Sequence, residues 1–380
     1  MKSIFISHVF SVLNQESFPV IGTPQSALIF ALLFTAVVFS LYLIVDHLSK
    51  PRKNQITAKN EPVFLKVLIG LVALGEMSVA WDMWWHGAIG RDNFFIAPHL
   101  LLYSSAAIGV ILAFYVWRHS RDIVWKHIAF VLLFIPTSVV IDNYFHAVYG
   151  VENYASPLRL SWSPGHFLLA VSVLVSLLLF LVVLFKFRKT NDFSFFGNLC
   201  WGGIWVIVFF LLMPFHPTEG WGQIAGFAGS GVLALGYVLI VLSAQKTMRG
   251  RIDGTLMTMV FLLFVLVAYG KERAPQIVML PHDRVPNWLL VFAFLAPAIL
   301  LDLTKDRFPM WVRGLLAGTV WSTILFGFST NFFAPQFQYG LTEIFTAINF
   351  SAMGGLVAGS IFGLFHFEDE KPIEKILKKW

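Results

Sequence analysis

The sequence predicts an all-α fold, a polytopic bundle of about eleven transmembrane helices with its N-terminus outside and its C-terminus in the cytoplasm. Of the 380 residues, 57% are hydrophobic and only 13% are charged, whereas a soluble domain carries about 25% charged residues. Uncharged runs such as 27–45 and 166–185 reach the roughly 20 residues that a helix needs to cross a bilayer. Lys and Arg are concentrated in alternate links between these runs, which predicts the orientation.

The predicted spans follow one another with short charged or Pro/Gly-containing links. They lie near 26–45, 64–86, 98–117, 124–147, 164–186, 196–215, 222–244, 254–270, 288–304, 309–328 and 345–366. We divide the chain into an N-terminal outer segment (1–25), five spans that carry a duplicated motif (26–190) and a six-span C-terminal region (191–380).

The distribution of positive charge places alternate links on the cytoplasmic side. The Lys- and Arg-rich links lie near 50–59, 118–121, 186–189, 246–251, 305–307 and 371–379. Positively charged links are retained in the cytoplasm, so the net charge of +6 indicates membrane topology rather than nucleic-acid binding. We expect an integral, multi-pass protein of a prokaryotic cytoplasmic membrane, with the lipid bilayer as its immediate partner.

A repeated acidic and histidine motif closes two of the spans at their predicted outer ends. Asp82-Met-Trp-Trp-His86 closes the second span, and Asp142-Asn-Tyr-Phe-His146 closes the fourth. Residues four apart share a helix face, with Cβ atoms about 5–6 Å apart, so each pair can converge on one ion. A carboxylate in the apolar slab costs about 2.5–3.5 kcal/mol on insertion scales and is normally paired or functional.

A second histidine, the third ligand of each set, follows each motif at the start of the next span. Pro98-His99 follows the first motif, and Pro164-Gly-His166 follows the second. The result is two Asp/His/His sets in a parallel repeat, whose axis would lie along the membrane normal. Two adjacent mononuclear sites and one dinuclear centre both fit this pattern.

The residue types restrict the metal to one with nitrogen and oxygen ligands. The chain has a single cysteine, Cys200, which excludes intramolecular disulfides and Cys-rich zinc or iron–sulfur sites. Imidazole and carboxylate ligands leave copper and iron open, with zinc less favoured. Aromatic residues surround the motifs and form either an apolar pocket for a small nonpolar substrate or an interfacial aromatic belt: Trp81, Trp84, Trp85, Phe94, Phe95, Tyr144, Phe145 and Trp162.

The stretch from Asp82 to Tyr103 resembles the C subunit of particulate methane and ammonia monooxygenases, the copper membrane monooxygenases. Asp82, His86 and His99 match that family's first copper ligands in type and spacing. Arg91-Asp92 matches the family's Arg-Asp loop, although Asn93 stands where the family has Thr. The resemblance implies a copper enzyme that activates O2, in which Arg91 and Asp92 take part in catalysis.

The second set departs from the same family. Asp142 replaces the family's Asn, and the gap from His146 to His166 is longer than in the family. The resemblance covers residues 76 to about 170, and the following six spans exceed what that subunit has. In the family a cupredoxin-like domain belongs to a separate subunit, so the resemblance implies partner subunits, including an electron donor.

A carboxylate in the middle of the second span adds a further candidate. Glu76 lies six residues before Asp82 and therefore on a different helix face. Buried carboxylates in spans relay protons, so we predict a catalytic proton-relay role for Glu76. Two other functions are compatible with these residues, namely a metal-ion or proton-coupled transporter and a noncatalytic subunit that holds metal structurally.

Overall fold

The described part of the chain is helical. A computed structural model describes residues 29, 32–40, 43–44, 56, 60–89, 95–120, 122–149, 163–187, 193–215, 226–248, 250–268, 287–327 and 340–364. Within these ranges there is no strand. In these ranges, ten helices have 13 residues or more: α1 (Glu61–Ala88), α2 (Ala97–His119), α3 (Val124–Tyr149), α4 (Pro164–Phe187), α5 (Ser194–Leu212), α6 (Gly229–Met248), α7 (Asp253–Ala268), α8 (Asn287–Leu303), α9 (Met310–Ser322) and α10 (Leu341–Leu364).

These helices confirm the all-α class and the membrane character of the chain. Seven of those described, α1 to α6 and α10, are long and apolar enough to cross a membrane. Two further apolar helices, α7 and α8, are shorter, and their apolar parts comprise Asp253–Val267 and Val291–Leu303. Of the predicted first span, the described residues 32–40 are helical. The count of eleven spans and the orientation of the termini stay predictions.

Local sequence signals explain where the first helices begin. Pro98 stands in the first turn of α2, and α4 begins at Pro164, positions where the missing backbone N–H of proline costs nothing. Ser163 precedes α4 and accepts the backbone N–H of Phe167 through its carbonyl oxygen. Asp122 precedes α3, and its Oδ1 accepts the backbone N–H of Val124 at 3.0 Å. The predicted helix starts near Pro98 and Pro164 are therefore confirmed.

The first four helices form one contacting group. Each contacts the next along the chain, and α1 also contacts α4. Polar contacts join the group at one end, where the carboxylate of Glu61 accepts hydrogen bonds from Ser120 Oγ at 2.5 Å and from Trp125 Nε1 at 3.3 Å. At the same end, Lys186 Nζ lies 2.5 Å from Asp122 Oδ2. The starts of α1 and α3 and the ends of α2 and α4 therefore lie together.

An aromatic core fills the second half of the molecule. Trp205 of α5 is fully buried, and its ring centroid lies 5.4 Å from those of both Tyr237 and Phe261. Phe294 of α8 contacts the same group, at 5.0 Å from Phe261, and accepts a hydrogen bond from the Tyr237 hydroxyl through its carbonyl oxygen. Large side chains from α5, α6, α7 and α8 therefore share one apolar core.

Glycines bring α9 and α10 into close contact. A Cβ atom on Gly314 would lie 2.1 Å from the carbonyl oxygen of Gly355, and one on Gly318 would lie 2.1 Å from that of Ser351. A Cβ on Gly355 would in turn lie 2.1 Å from the carbonyl oxygen of Gly314. Small residues of this kind allow membrane helices to approach backbone to backbone.

A buried polar network joins α6, α7, α8 and α9. Asp302 accepts hydrogen bonds from Gln245 Nε2 at 2.6 Å and from the backbone N–H of Thr255 at 2.7 Å. Arg313 is 3% exposed, and its Nη2 donates to Gln245 Oε1 at 2.5 Å and to the Leu301 carbonyl oxygen at 3.0 Å. Because buried charges are stable only when they are paired and hydrogen-bonded, this network fixes how the four helices meet.

Candidate metal site

The structure describes part of each predicted metal set. The side chains of Asp82 and His99 are described, and so are those of Asp142 and His166. His86 and His146 lie in described helix backbone, but their side chains are outside the described residues. The predicted catalytic residues Arg91 and Asp92 also lie outside the described residues.

The first set brings a carboxylate and an imidazole together across two helices. Asp82 stands in the last two turns of α1, and His99 stands in the first turn of α2. The distance from His99 Nε2 to Asp82 Oδ1 is 3.2 Å, and the two side chains are 18% and 23% exposed. The His99 ring also lies 5.7 Å from the ring of Tyr103, one turn further along α2. The pair is thus half-buried beside an aromatic ring.

The second set repeats this contact. Asp142 stands in the last two turns of α3, and His166 stands in the first turn of α4. The distance from His166 Nε2 to Asp142 Oδ2 is 3.5 Å, with side-chain exposures of 23% and 20%. The ring of Phe210 on α5 lies 6.1 Å from the His166 ring. Both sets therefore use the same imidazole nitrogen, the same helix positions and nearly the same exposure.

Both pairs lie at one end of the four-helix group. The opposite ends of the same helices are joined by the contacts of Glu61 with Ser120 and of Asp122 with Lys186. Because α1 and α3 run away from that end and α2 and α4 return to it, Asp82, His99, Asp142 and His166 are all at the other end. The sequence predicted that the two sets lie at the same depth in the membrane. Their position at the same end of the four helices is consistent with that prediction.

Gly165 allows α4 to approach α3 closely enough for the contact between Asp142 and His166. A Cβ atom on Gly165 would lie 2.4 Å from the Cβ of Asp142 and 2.6 Å from its Cα. Since these atoms belong to the backbone and the root of the side chain, rotation of Asp142 cannot relieve the overlap. Gly165 therefore sets the close approach of α4 to α3, and thereby the position of His166 relative to Asp142.

The Asp–His separations suit two ligands of one metal ion. Two ligands that each bind a metal at roughly 2.1 Å lie about 3.0–3.4 Å apart when they are neighbours in octahedral or tetrahedral geometry. The measured 3.2 Å and 3.5 Å are close to this range. Among the described side chains, however, no group of three or more His, Cys, Asp or Glu residues could hold a metal ion. The remaining predicted ligand of each set, His86 or His146, has a side chain outside the described residues.

The predicted relay residue Glu76 does not join either pair. It is 5% exposed, and neither of its carboxyl oxygens has a hydrogen-bond partner in the described structure. On α5 it faces Gly203, on which a Cβ atom would lie 2.5 Å from Glu76 Oε2. The structure thus separates Glu76 from the Asp–His pairs and places it where α1 meets α5.

The buried network of Asp302, Gln245 and Arg313 was not predicted from the sequence. The signal that could have found it is a charged residue inside an apolar segment, because such residues are costly unless paired. The pairing itself joins residues more than fifty positions apart. Only the packing of the helices brings them together.

Comparison with family models, with curated proteins and with solved structures found no match to this chain. The resemblance of residues 76 to about 170 to the C subunit of copper membrane monooxygenases is therefore a prediction based on the motifs alone.

Proposed function

We propose that this chain is a membrane metalloprotein in which two Asp/His/His sets hold metal near one face of the membrane. Asp82, His86 and His99 form the first set, and Asp142, His146 and His166 form the second. The observation that supports this proposal is the duplicated contact between an Asp carboxylate on one helix and a His Nε2 on the next. A single pair of this kind is common, whereas the same pair at the same two helix positions indicates a shared role.

The proposed membrane topology has eleven spans, with the N-terminus outside and the C-terminus in the cytoplasm. Seven described helices are long enough to cross the bilayer, and the shorter apolar α7 and α8 are compatible with two more spans. With the positive links inside, both metal sets face the outer side. Metal and O2 would then reach the sets without crossing the membrane.

The proposed reaction is an oxidation, most simply a monooxygenation of a small apolar substrate. The resemblance favours copper, iron is the alternative, and zinc fits less well because it has no redox chemistry. Bound copper or iron would supply O2 activation. The carboxylates and imidazoles would hold the metal, and Arg91 and Asp92 would support the site from the loop between α1 and α2. Electrons would come from a partner subunit or another donor.

The experiment that tests this proposal is elemental analysis of the purified protein, with metal content expressed per chain. We compare wild type with the double variants Asp82→Ala/His99→Ala and Asp142→Ala/His166→Ala. The matched control, His119→Gln/Asp122→Asn, changes one His and one Asp at the other end of the same helices. We expect copper or iron in wild type and in the control, and a loss of about half in each double variant.

The outcomes separate the proposed enzyme from the other functions. Absence of metal from the wild type, or an unchanged content in both double variants, would show that the pairs are interhelical Asp–His contacts that hold no metal. If the bound metal is zinc, which has no redox chemistry, the result would favour the noncatalytic subunit. Metal uptake into liposomes that hold the wild type, abolished in both double variants, would favour the transporter.

A further inference from the structure

Glu76 is a buried acid in an apolar part of the molecule. It lies near the middle of α1, 5% exposed, and both of its carboxyl oxygens are without a hydrogen-bond partner among the described residues. Glu61 on the same helix is nearly as buried, at 7%, but its two oxygens accept hydrogen bonds from Ser120 and Trp125. Both carboxyl groups are therefore buried, but only that of Glu61 is hydrogen-bonded in the described structure.

Glycines and apolar residues lie close to Glu76 where α1 meets α5 and α7. Gly203 of α5 faces the carboxyl group, since a Cβ atom there would lie 2.5 Å from Oε2 and 2.9 Å from Oε1. The neighbouring Gly202 packs α5 against α7, where a Cβ atom would lie 2.5 Å from Val260 Cγ1. One turn of α1 further on, Ala80 packs against Phe264 of α7. Glu76 thus lies where the duplicated helices meet the second half of the chain.

The helices packed against α1 have few titratable side chains near the level of Glu76. These helices are α2, α4, α5 and α7. Cys200 of α5 lies three residues before Gly203 and hence on nearly the same helix face, and α2 contributes Leu102 and Ser105 beside Gly75. The other titratable residues of these four helices lie in their first or last two turns: His99, Tyr103, Tyr115, Arg118, His119, His166, Lys186 and Asp253.

The surroundings of Glu76 favour a proton over a metal ion as the ligand of its carboxyl group. An ionised carboxylate without a partner is strongly disfavoured in apolar surroundings. A metal ion would need several further oxygen or nitrogen ligands, whereas the described residues named at this level are glycines, apolar side chains, the Ser105 hydroxyl and the Cys200 thiol. A proton needs only one carboxyl oxygen and removes the charge.

We propose that Glu76 is a proton-binding site inside the membrane, which holds its proton at neutral pH while α1 is packed against α5 through Gly203. Release of the proton would leave a charge between the two halves of the molecule, so it requires water or a proton acceptor to enter this interface. Proton binding is thereby coupled to the packing of the duplicated helices against the second half. The inference does not depend on the metal proposal.

The first test is infrared spectroscopy of the purified protein at pH 7. A protonated carboxylic acid has a carbonyl stretching band that ionised carboxylates lack. We expect this band in wild type, its loss in Glu76→Gln, and its retention in the matched control Glu61→Gln. Gln has the shape and charge of the neutral acid, so the fold should tolerate it; Glu76→Asp, which should keep the band at a shifted frequency, is the second variant. A wild type without the band, or a band that survives Glu76→Gln, would overturn the proposal.

The second test uses Cys200, the single cysteine of the chain, as a reporter of water at this interface. A water-soluble methanethiosulfonate reagent is applied at pH 7 to wild type and to Glu76→Gln. If Glu76 is neutral, Cys200 should react equally slowly in both proteins. The interface then holds no charge that would need water around it. Modification at least tenfold faster in wild type would show a hydrated, ionised carboxylate and would contradict the proposal, even if the metal sites were real.

Discussion

Single residues decide how the two candidate metal sets are built. Asp82 and Asp142 each contact the histidine that begins the following helix, at 3.2 Å and 3.5 Å. The sequence predicted His99 and His166 as partners of these residues because each follows a proline that begins a helix. The structure shows the two Asp–His contacts, and their role as metal ligands stays a prediction. The sequence could not predict which atoms face each other, because that depends on the rotation of α2 and α4 about their own axes.

Gly165 gives a residue-level prediction for the second set. Gly165→Ala should push α4 away from α3, because the new Cβ atom would overlap the Cβ and Cα of Asp142. We expect a loss of stability of about 1–3 kcal/mol, the usual range for overpacking. If the proposed function is right, metal content per chain should also fall by about half. Thermal unfolding in detergent and elemental analysis measure the two effects.

The control for this substitution is Gly109→Ala on α2, where a Cβ atom meets nothing within 4 Å. It should leave the metal content unchanged and keep or raise the stability, because Ala is the better helix former by up to about 1 kcal/mol. Equal effects of the two substitutions would contradict the role assigned to Gly165.

At the scale of elements, the helices meet through two kinds of contact besides the packing of large apolar side chains. Backbone-to-backbone contact dominates between α9 and α10, where Gly314, Gly318 and Gly355 leave no room for a side chain. Polar contacts join the helices elsewhere, as with Asp302 and Arg313 in the second half. In lipid, where apolar surface is not driven together by water, both kinds of contact supply the specificity of packing.

The glycine contact predicts that Gly318→Ala weakens the second half of the molecule. Its Cβ atom would lie 2.1 Å from the carbonyl oxygen of Ser351, and a backbone atom cannot rotate away. The two helices must therefore separate, at a cost of about 1–3 kcal/mol. Denaturant unfolding followed by tryptophan fluorescence measures this loss, because Trp321 lies buried at the end of the same helix.

Gly70→Ala on α1 is the matched comparison, since nothing lies within 4 Å of the added atom. A Gly318→Ala protein as stable as Gly70→Ala would mean that α9 and α10 do not pack through their glycines.

At the scale of the whole molecule, the orientation in the membrane can be tested by cysteine labelling. Cys200 is the single cysteine and is buried, so wild type should give little background. Phe95 and Ile252 are 39% and 54% exposed and lie at the ends of helices on the predicted outer and inner sides. A membrane-impermeant maleimide should label Phe95→Cys in intact cells, and should label Ile252→Cys only after permeabilisation. The reverse pattern would invert the topology and place the Asp–His pairs on the cytoplasmic side.

The sequence by itself determined the helical membrane class, the positions of the helices and the residues of the duplicated motif. Composition and helical spacing are local properties, and a bilayer leaves a long apolar segment few alternatives to a helix. Proline and serine at the helix starts are equally local signals, so the beginnings of α2 and α4 were predicted closely.

The tertiary structure alone decided which helices meet and which polar groups become partners. The network of Asp302 and Arg313, the glycine contact of α9 with α10 and the different surroundings of Glu61 and Glu76 all join residues that are far apart in the chain. Such pairings depend on the rotation and depth of each helix. These are set by the simultaneous packing of many side chains, which no single segment of sequence specifies.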